Sequence, residues 1–397
     1  MLALDCGLAF DPACEDEFFS SLPSRPAVFV VELRQPDAEP YLVRTADLRR
    51  RLERLLRAPD GLSKRLNLRA VTRAVRYRLT GSFFEQNLVL YQQARQLFPR
   101  RYRDLLRLRP PALLKVNLSN EYPRCYVTRR ILSDGGFYFG PFPSRRVAAI
   151  FSNEFLNLFK LRRCQIKIRR DPSFPGCIYS EMKMCLAPCF AGCSKTEYDV
   201  EAARVVAFLA SSGGSLQSEW EREREAASEG LDFERASAVH RKLDKLGEVL
   251  RSLPELPRRL DELDAVILQP AAGERTLAVF AIRAGRIADP FFLCFDELSS
   301  QPRSVEAILR EQLEASAGPL QDTSSSDGEK TVTLPRSRLE ETLADHLALL
   351  ARWFYGKPRL GEIFFPQTGG SSGPSAGTLW PYRRILRACS RLLTSEE

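Results

Sequence analysis

CQIKIRRDPSFPGCIYSEMKMCLAPCFAGC, residues 164–193, holds five of the chain's ten cysteines in thirty residues. Cys164, Cys177, Cys185 and Cys189 are separated by twelve, seven and three residues, and Cys193 follows after three more. Thiols this dense usually share a ligand. Arg162, Arg163, Lys167, Arg169 and Arg170 flank the first thiol, which favours the thiolate and sets positive charge beside it. Disulfides are not expected. The chain opens MLALDCGLAF, with no basic stretch and no long apolar run, so a cytoplasmic protein with reduced thiols is the expectation. Zinc usually takes two tight pairs, and only Cys185 and Cys189 are close. An iron–sulfur centre fits the spacing equally, so spacing leaves both metals open. Cys193 is a spare thiol or a substitute ligand.

Working upstream, YPRCYVTRRILSDGGFYFGPFPS spans residues 122–144. Together with RRC and the C-x7-C-x3-C run ending in CLAPCFAG, it resembles the UvrC family, the incision subunit of bacterial nucleotide excision repair. The likeness covers roughly residues 20–300. It implies a [4Fe–4S] cluster on Cys164, Cys177, Cys185 and Cys189, which places that centre above zinc. In the same region Tyr122, Tyr126, Phe137, Tyr138, Phe139 and Phe142 alternate with Arg124, Arg129, Arg130, Arg145 and Arg146. Aromatics among cations suit base stacking and phosphate pairing, and they equally suit a small core with a charged rim. Arg129, Arg130, Arg145 and Arg146 are candidate DNA contacts.

The chain has 397 residues, 44% hydrophobic and 27% charged, with a net charge of +9. That length allows two or three domains. Charge is uneven. Residues 44–109 carry 18 Lys and Arg against five acids, a net of +13, which points to a polyanion. Arg49 and Arg50 join the DNA candidates. No apolar run reaches 18 residues, so no membrane helix is expected. Only His240 and His346 occur, far apart, which disfavours histidine-based catalysis.

At the N-terminus, residues 1–25 read as a loose lead-in. AVFVVELRQ (27–35) reads as a strand, PDAEP as a turn and PYLVR as a second strand. Thr45 then caps a helix with the stripe Leu48, Leu52, Leu55 and Leu56; Arg50, Arg54 and Arg57 face outward. A second helix is predicted over 66–79 and a third from Ser82, with Phe84, Leu88 and Tyr91 on one face. This β-β-α-α-α order resembles the GIY-YIG nuclease domain of UvrC. The resemblance implies roles for Tyr41 (the second motif tyrosine), Arg44 (in place of lysine), Arg51 (the catalytic arginine) and Glu85 (holding one Mg²⁺ or Mn²⁺). Such a set suits phosphodiester hydrolysis: a carboxylate-held cation neutralises the leaving oxygen, a guanidinium forks the non-bridging oxygens, and a phenol orients water. Departures are plain. Ala27 and Phe29 stand for the first triplet's glycine and tyrosine, Val43 for the YIG glycine, and Arg103 for the closing asparagine. Ser82 with Glu85 is also a capping box that accounts for Glu85 without a metal.

Farther on, TEYDVEAARVVAFLASS reads as a helix, and 216–229 and 233–250 as two amphipathic helices joined by EGLDF. ASEGLDFERASAVHRKLDKL resembles the UVR motif, which implies that the 217–250 hairpin docks on UvrB through Phe233, Glu234 and Ala236. As a bare pattern it is an αα-hairpin, with its seam free for a partner or packed on its own chain. ELDAVILQP and TLAVFAIRAGRIADPFFLCF form an apolar hairpin turning at Ala284-Gly285. They resemble the opening sheet of UvrC's RNase H-like half, whose further strands and carboxylates do not follow, so that half reads as truncated and its nuclease site as missing. Two helices, a polar insertion, a flexible linker, the short strand GEIFFP and the basic helix WPYRRILRACSRLL complete the chain.

The fold expectation is a multidomain α/β protein: a degenerate GIY-YIG-like domain (1–110), a basic, aromatic, four-cysteine region (111–200), a helical hairpin (201–252) and a partial RNase H-like domain (253–397). The function expectation is a UvrC-like repair subunit that binds DNA with UvrB and nicks one strand from the N-terminal site. The alternative is an inactive DNA- and UvrB-binding adaptor with a structural iron–sulfur cluster. No membrane and no small-molecule substrate are expected.

Overall fold

Strands β1 (Cys6–Ala9), β2 (Ala27–Leu33), β3 (Tyr41–Thr45) and β4 (Thr72–Leu79) build the first of three sheets in the computed structural model. The structure describes residues 2–58, 66–299, 303–315, 336–367 and 379–394. The first sheet is antiparallel, in the order β1-β4-β2-β3. Two expectations are corrected here. Residues 1–25 are not a loose lead-in: β1 pairs with β4, and α1 (Glu15–Ser21) follows it. The helix expected over 66–79 is replaced by β4, a central strand. Thr72, Val75 and Tyr77 are buried while Arg73 and Arg76 are exposed, and Thr, Val and Tyr suit a pleated, half-buried surface.

Helix α2 (Leu48–Leu56) buries Leu48, Leu52, Leu55 and Leu56 as the stripe predicts. Its cap is Asp47, which accepts from the Arg50 amide at 2.9 Å, and not Thr45. Helix α3 (Phe83–Leu97) starts at Ser82, whose hydroxyl accepts from the Glu85 amide; α4 (Tyr102–Leu105) follows. Because side chains alternate across a strand, β2 serves two cores. Ala27, Phe29 and Val31 pack with α1 and α2, and Val28 packs with Phe84 and Leu88 of α3.

The second sheet takes β5 (Ala112–Val116), β6 (Cys125–Thr128), β7 (Phe137–Phe142) and β8 (Arg258–Arg259) in the order β6-β5-β7-β8. Against it lie α5 (Arg145–Leu156) and, after the cysteine loop with its short α6 (Ile178–Glu181), α7 (Lys195–Ala210). Helices α8 (Gly214–Glu229) and α9 (Phe233–Ser252) form the expected hairpin.

The third sheet is also antiparallel: β9 (Ala265–Pro270), β10 (Thr276–Arg283), β11 (Arg286–Ile287), β12 (Phe291–Cys294) and β13 (Glu362–Phe364). The turn at Ala284-Gly285 is where the sequence places it, with both residues at positive φ. Helices α10 (Phe295–Ser299), α11 (Val305–Ala315), α12 (Arg336–Phe354) and α13 (Tyr382–Thr394) complete this part. The expected insertion DTSSSDGEK and the linker TGGSSGPSAG lie outside the described residues. One core runs through α3, α4, the third sheet and α12: Phe84, Leu88, Tyr91, Ile267, Phe280, Leu347, Leu350 and Trp353 share it. Among the described residues the fold is therefore a mixed α/β assembly of three sheets, with its first and last parts joined by common burial.

Candidate functional site

The N-terminal residues singled out from the sequence do not converge. Tyr41 sits on β3, and its hydroxyl accepts from Arg51 Nη2 at 2.9 Å, so α2 and β3 bring these two together. Arg44 is three residues beyond Tyr41 on the same strand and therefore faces the other side of the sheet. There its Nη1 donates to Asn87 Oδ1 at 3.1 Å, and its guanidinium covers the Phe83 ring at 4.1 Å. Burial, with the Arg352 charge nearby, holds its pKa below the usual arginine range.

Glu85 lies on that second side too. It is 1% exposed. Its Oε2 accepts from the Gly81 amide at 2.9 Å, and Arg78 Nε stands 4.0 Å from Oε1. Burial pushes the carboxyl above its ordinary range, against the Gly81 amide and the Arg78 charge. It borders a cleft of about 300 Å³ lined by Asp5, Cys6, Arg78, Ala271, Thr276 and Phe292, between the first sheet and the third. Tyr41 and Arg51 thus occupy one face, and Arg44 and Glu85 the other.

Arg103, at the position of the family's asparagine, is bound to Asp345 of α12 through Nε (2.9 Å) and Nη2 (3.3 Å). Tyr102 donates to the same carboxylate at 2.6 Å and Tyr91 at 3.4 Å. The sequence reading missed Asp345. Its signal was a charge set among the apolar positions of LADHLALL, which requires a buried partner.

The interleaved aromatics are a core. Tyr122, Phe137, Tyr138, Phe139 and Phe142 are all buried, with Tyr126 half-buried under Arg124 at 4.5 Å. Arg129, Arg130, Arg145 and Arg146 are exposed at its rim, and Arg50 is exposed on α2. Arg49 differs: its Nε and Nη2 donate to the Leu22 and Ser20 carbonyls at 2.6 and 3.1 Å, which ties it to the α1 end.

The cysteine loop is held from inside by Arg162. This residue is 6% exposed and donates to the carbonyls of Tyr122 (2.8 Å), Cys164 (3.1 Å) and Ile166 (3.1 Å), with Nη1 also 3.7 Å from Cys164 Sγ. The Ala187 amide points at Cys185 Sγ from 3.3 Å. Ala187 and Ala191 are both left-handed, which folds the segment around Cys189. The flanking cations do not prevail over burial: the Cys185 thiol is pushed up to about 11 by desolvation first, then by Cys164, Cys177 and Cys189 beside it. Desolvation also raises Cys189 and Cys193. Four thiols with an N–H pointing at one sulfur are in kind the donor set of a thiolate-held centre. Among the described residues, however, no three His, Cys, Asp or Glu side chains are grouped as metal ligands.

At the hairpin, Trp220, Ala227, Val239, Leu246 and Val249 are buried against the chain itself. Its tip is open: Leu231 is 72% and Phe233 67% exposed, Glu234 is exposed and Ala236 half-buried. No helix among the described residues is long and apolar enough to cross a membrane.

Against this geometry, the model of the UvrC/Cho excinuclease middle domain matches residues 112–208. That span covers β5, β6 and β7 of the second sheet, α5, the cysteine loop and most of α7. UvrABC system protein C of Ruminiclostridium cellulolyticum is 31% identical over 175 residues, 44% of this chain and 28% of the relative. Those of Dehalococcoides mccartyi and Carboxydothermus hydrogenoformans are each 28% identical over 272 and 273 residues, 68% of this chain and 44% of each relative. The chain thus spans less than half the length of these relatives. No solved structure matches it.

Proposed function

The chain belongs to the UvrC family, and from that premise we propose that it is a nucleotide excision repair subunit that engages DNA and a UvrB-like partner without cutting from its N-terminal site. One observation carries the second half of this reading: Tyr41 and Arg51 are on one face of the first sheet, while Glu85 is on the other, buried and bound to Gly81. In-line hydrolysis needs cation, guanidinium and water around one phosphate. A carboxylate across the sheet from the arginine does not meet that need. The first sheet with α2 and α3 is then a degenerate GIY-YIG-like unit, and the third sheet with its helices a partial RNase H-like one.

Exposed Arg50, Arg129, Arg130, Arg145 and Arg146 supply phosphate contacts. Leu231, Phe233 and Glu234 at the hairpin tip supply the protein contact, an apolar end with a charged rim. Cys164, Cys177, Cys185 and Cys189 are the residues that would hold a [4Fe–4S] cluster. Bound there, it would cross-link a loop-rich segment that has little core of its own.

The test is a labelled duplex with one bulky lesion, incubated with the UvrB-like partner, this protein and Mn²⁺. The expected result is a supershifted complex with both strands intact. A strand cut that Glu85→Ala abolishes would return the enzyme reading.

A further inference from the structure

Helix α13 presents three arginines that its own fold does not use. Ile385, Ala388 and Cys389 are 0–1% exposed and fix the helix on the third sheet, so its outer face is set rigidly. Arg383, Arg384 and Arg387 stand exposed on that face and, among the described residues, their guanidinium groups have no hydrogen-bond or ion-pair partner. Arg391, the fourth, differs: it grips Glu362 of β13 with both Nη2 contacts at 2.8 Å. The neighbouring acids are engaged elsewhere or set apart. Glu306 and Glu311 of α11 pair with Arg310 and Arg303, and Glu314 lies by Tyr382.

Stability does not explain the three. Helix α13 has no acid in its first turn, and two of its arginines sit there, at the positive end of the helix dipole, where cations are disfavoured. Arg383 and Arg384 also each repel Arg387, at i+4 and i+3. A face that is costly in isolation and carries only cations fits an extended polyanion.

We propose that α13 is a second nucleic-acid contact surface, with Arg383, Arg384 and Arg387 taking backbone phosphates of duplex DNA. The inference rests on the DNA-engaging reading above and adds the last helix to it. Arg383 and Arg387 are one turn apart, about 6 Å along the axis, and Arg384 lies beside them, so the three reach neighbouring phosphates without a base being read. The contact is sequence-independent and salt-sensitive.

The test measures binding of an undamaged duplex by the full chain across a salt series. Wild type is compared with the triple variant Arg383→Gln, Arg384→Gln, Arg387→Gln, and with Arg145→Gln, Arg146→Gln on α5. The triple variant is expected to bind about tenfold or more weakly and to lower the slope of log K against log salt by about 2.7. The α5 variant lowers it by about 1.8. If the α5 variant weakens binding while the α13 variant leaves affinity and slope unchanged, the α13 surface is refuted and the DNA-engaging reading stands. If wild type binds no DNA, both fall. If DNA binding is unchanged and the UvrB-like partner is lost instead, α13 is a protein contact and the inference is wrong. Circular dichroism of each variant, with Arg383→Gln alone as a milder probe, separates loss of contact from loss of fold.

Discussion

At the scale of single residues, Glu85 separates a nuclease from a binding protein. Desolvation raises its pKa, while the Gly81 amide and Arg78 pull the other way. A carboxyl raised in the folded state stabilises it below the unfolded pKa of about 4.3, and that stability is lost as pH rises through the folded pKa. Thermal unfolding should therefore show Glu85→Gln gaining on wild type between pH 4 and pH 8; a gap that stays constant with pH would mean the carboxyl is solvated after all. Much of this was legible in advance. Ser82 with Glu85 is a capping pattern, and the hydroxyl does accept from the Glu85 amide. The split was readable in principle, because residues 41 and 44 of one strand cannot share a face. The Asp345 carboxylate that takes up Arg103 was not, because it comes from a helix more than two hundred residues away.

Among the elements, β4 is the instructive failure. Arg73, Arg76 and Arg78 fall at spacings a helix can also present, and local pattern does not reveal that β1 and β2 flank this segment. Its Thr, Val and Tyr content was the better guide. The stripes of α2 and α3 were clear, since their leucines and aromatics are buried as the periodicity demands. Helix α12 carries its own test. His346 is half-buried, accepts a hydrogen bond from the Ile287 amide at 3.0 Å, and has its pKa driven down to about 3 by desolvation and by Arg95 and Arg286. A depressed imidazole contributes stability that is present above the unfolded pKa of about 6.5 and lost as pH falls through the folded one. Urea midpoints should drop between pH 6.5 and pH 4 and drop less in His346→Gln; equal drops would assign the acid sensitivity to other groups. At the hairpin, Phe233→Asp changes an exposed side chain, so stability should move within about 0.5 kcal/mol. Co-purification with the UvrB-like partner should be lost, and unchanged binding would make the hairpin an internal packing element only.

Across the whole molecule, the expected domain edges at 110 and 252 cut through shared burial. Helix α12 reaches the first part through Asp345 and through Arg95, which donates to Thr342 at 2.9 Å. It reaches the middle through Glu340, which accepts the Ser133 amide at 2.6 Å, and the Tyr355 just beyond it donates to the Pro141 carbonyl at 3.0 Å. Removing Asp345 leaves the Tyr91 and Tyr102 hydroxyls without their acceptor and leaves Arg103 with Glu341 alone. Asp345→Ala should cost about 1–3 kcal/mol in urea unfolding, the penalty of buried hydroxyls left without a partner; a loss under about 0.5 kcal/mol would show that the parts do not depend on this joint. Such long-range joints are what a single sequence conceals, whereas the cysteine spacing and the FYFGPFPS run announced the family locally. The first sheet holds Tyr41 and Arg51 apart from Glu85, on opposite faces. A Mn²⁺ titration followed by electron paramagnetic resonance tests that most directly. The prediction is equally weak binding by wild type and Glu85→Gln; a tight Mn²⁺ site in wild type that disappears in Glu85→Gln would contradict it.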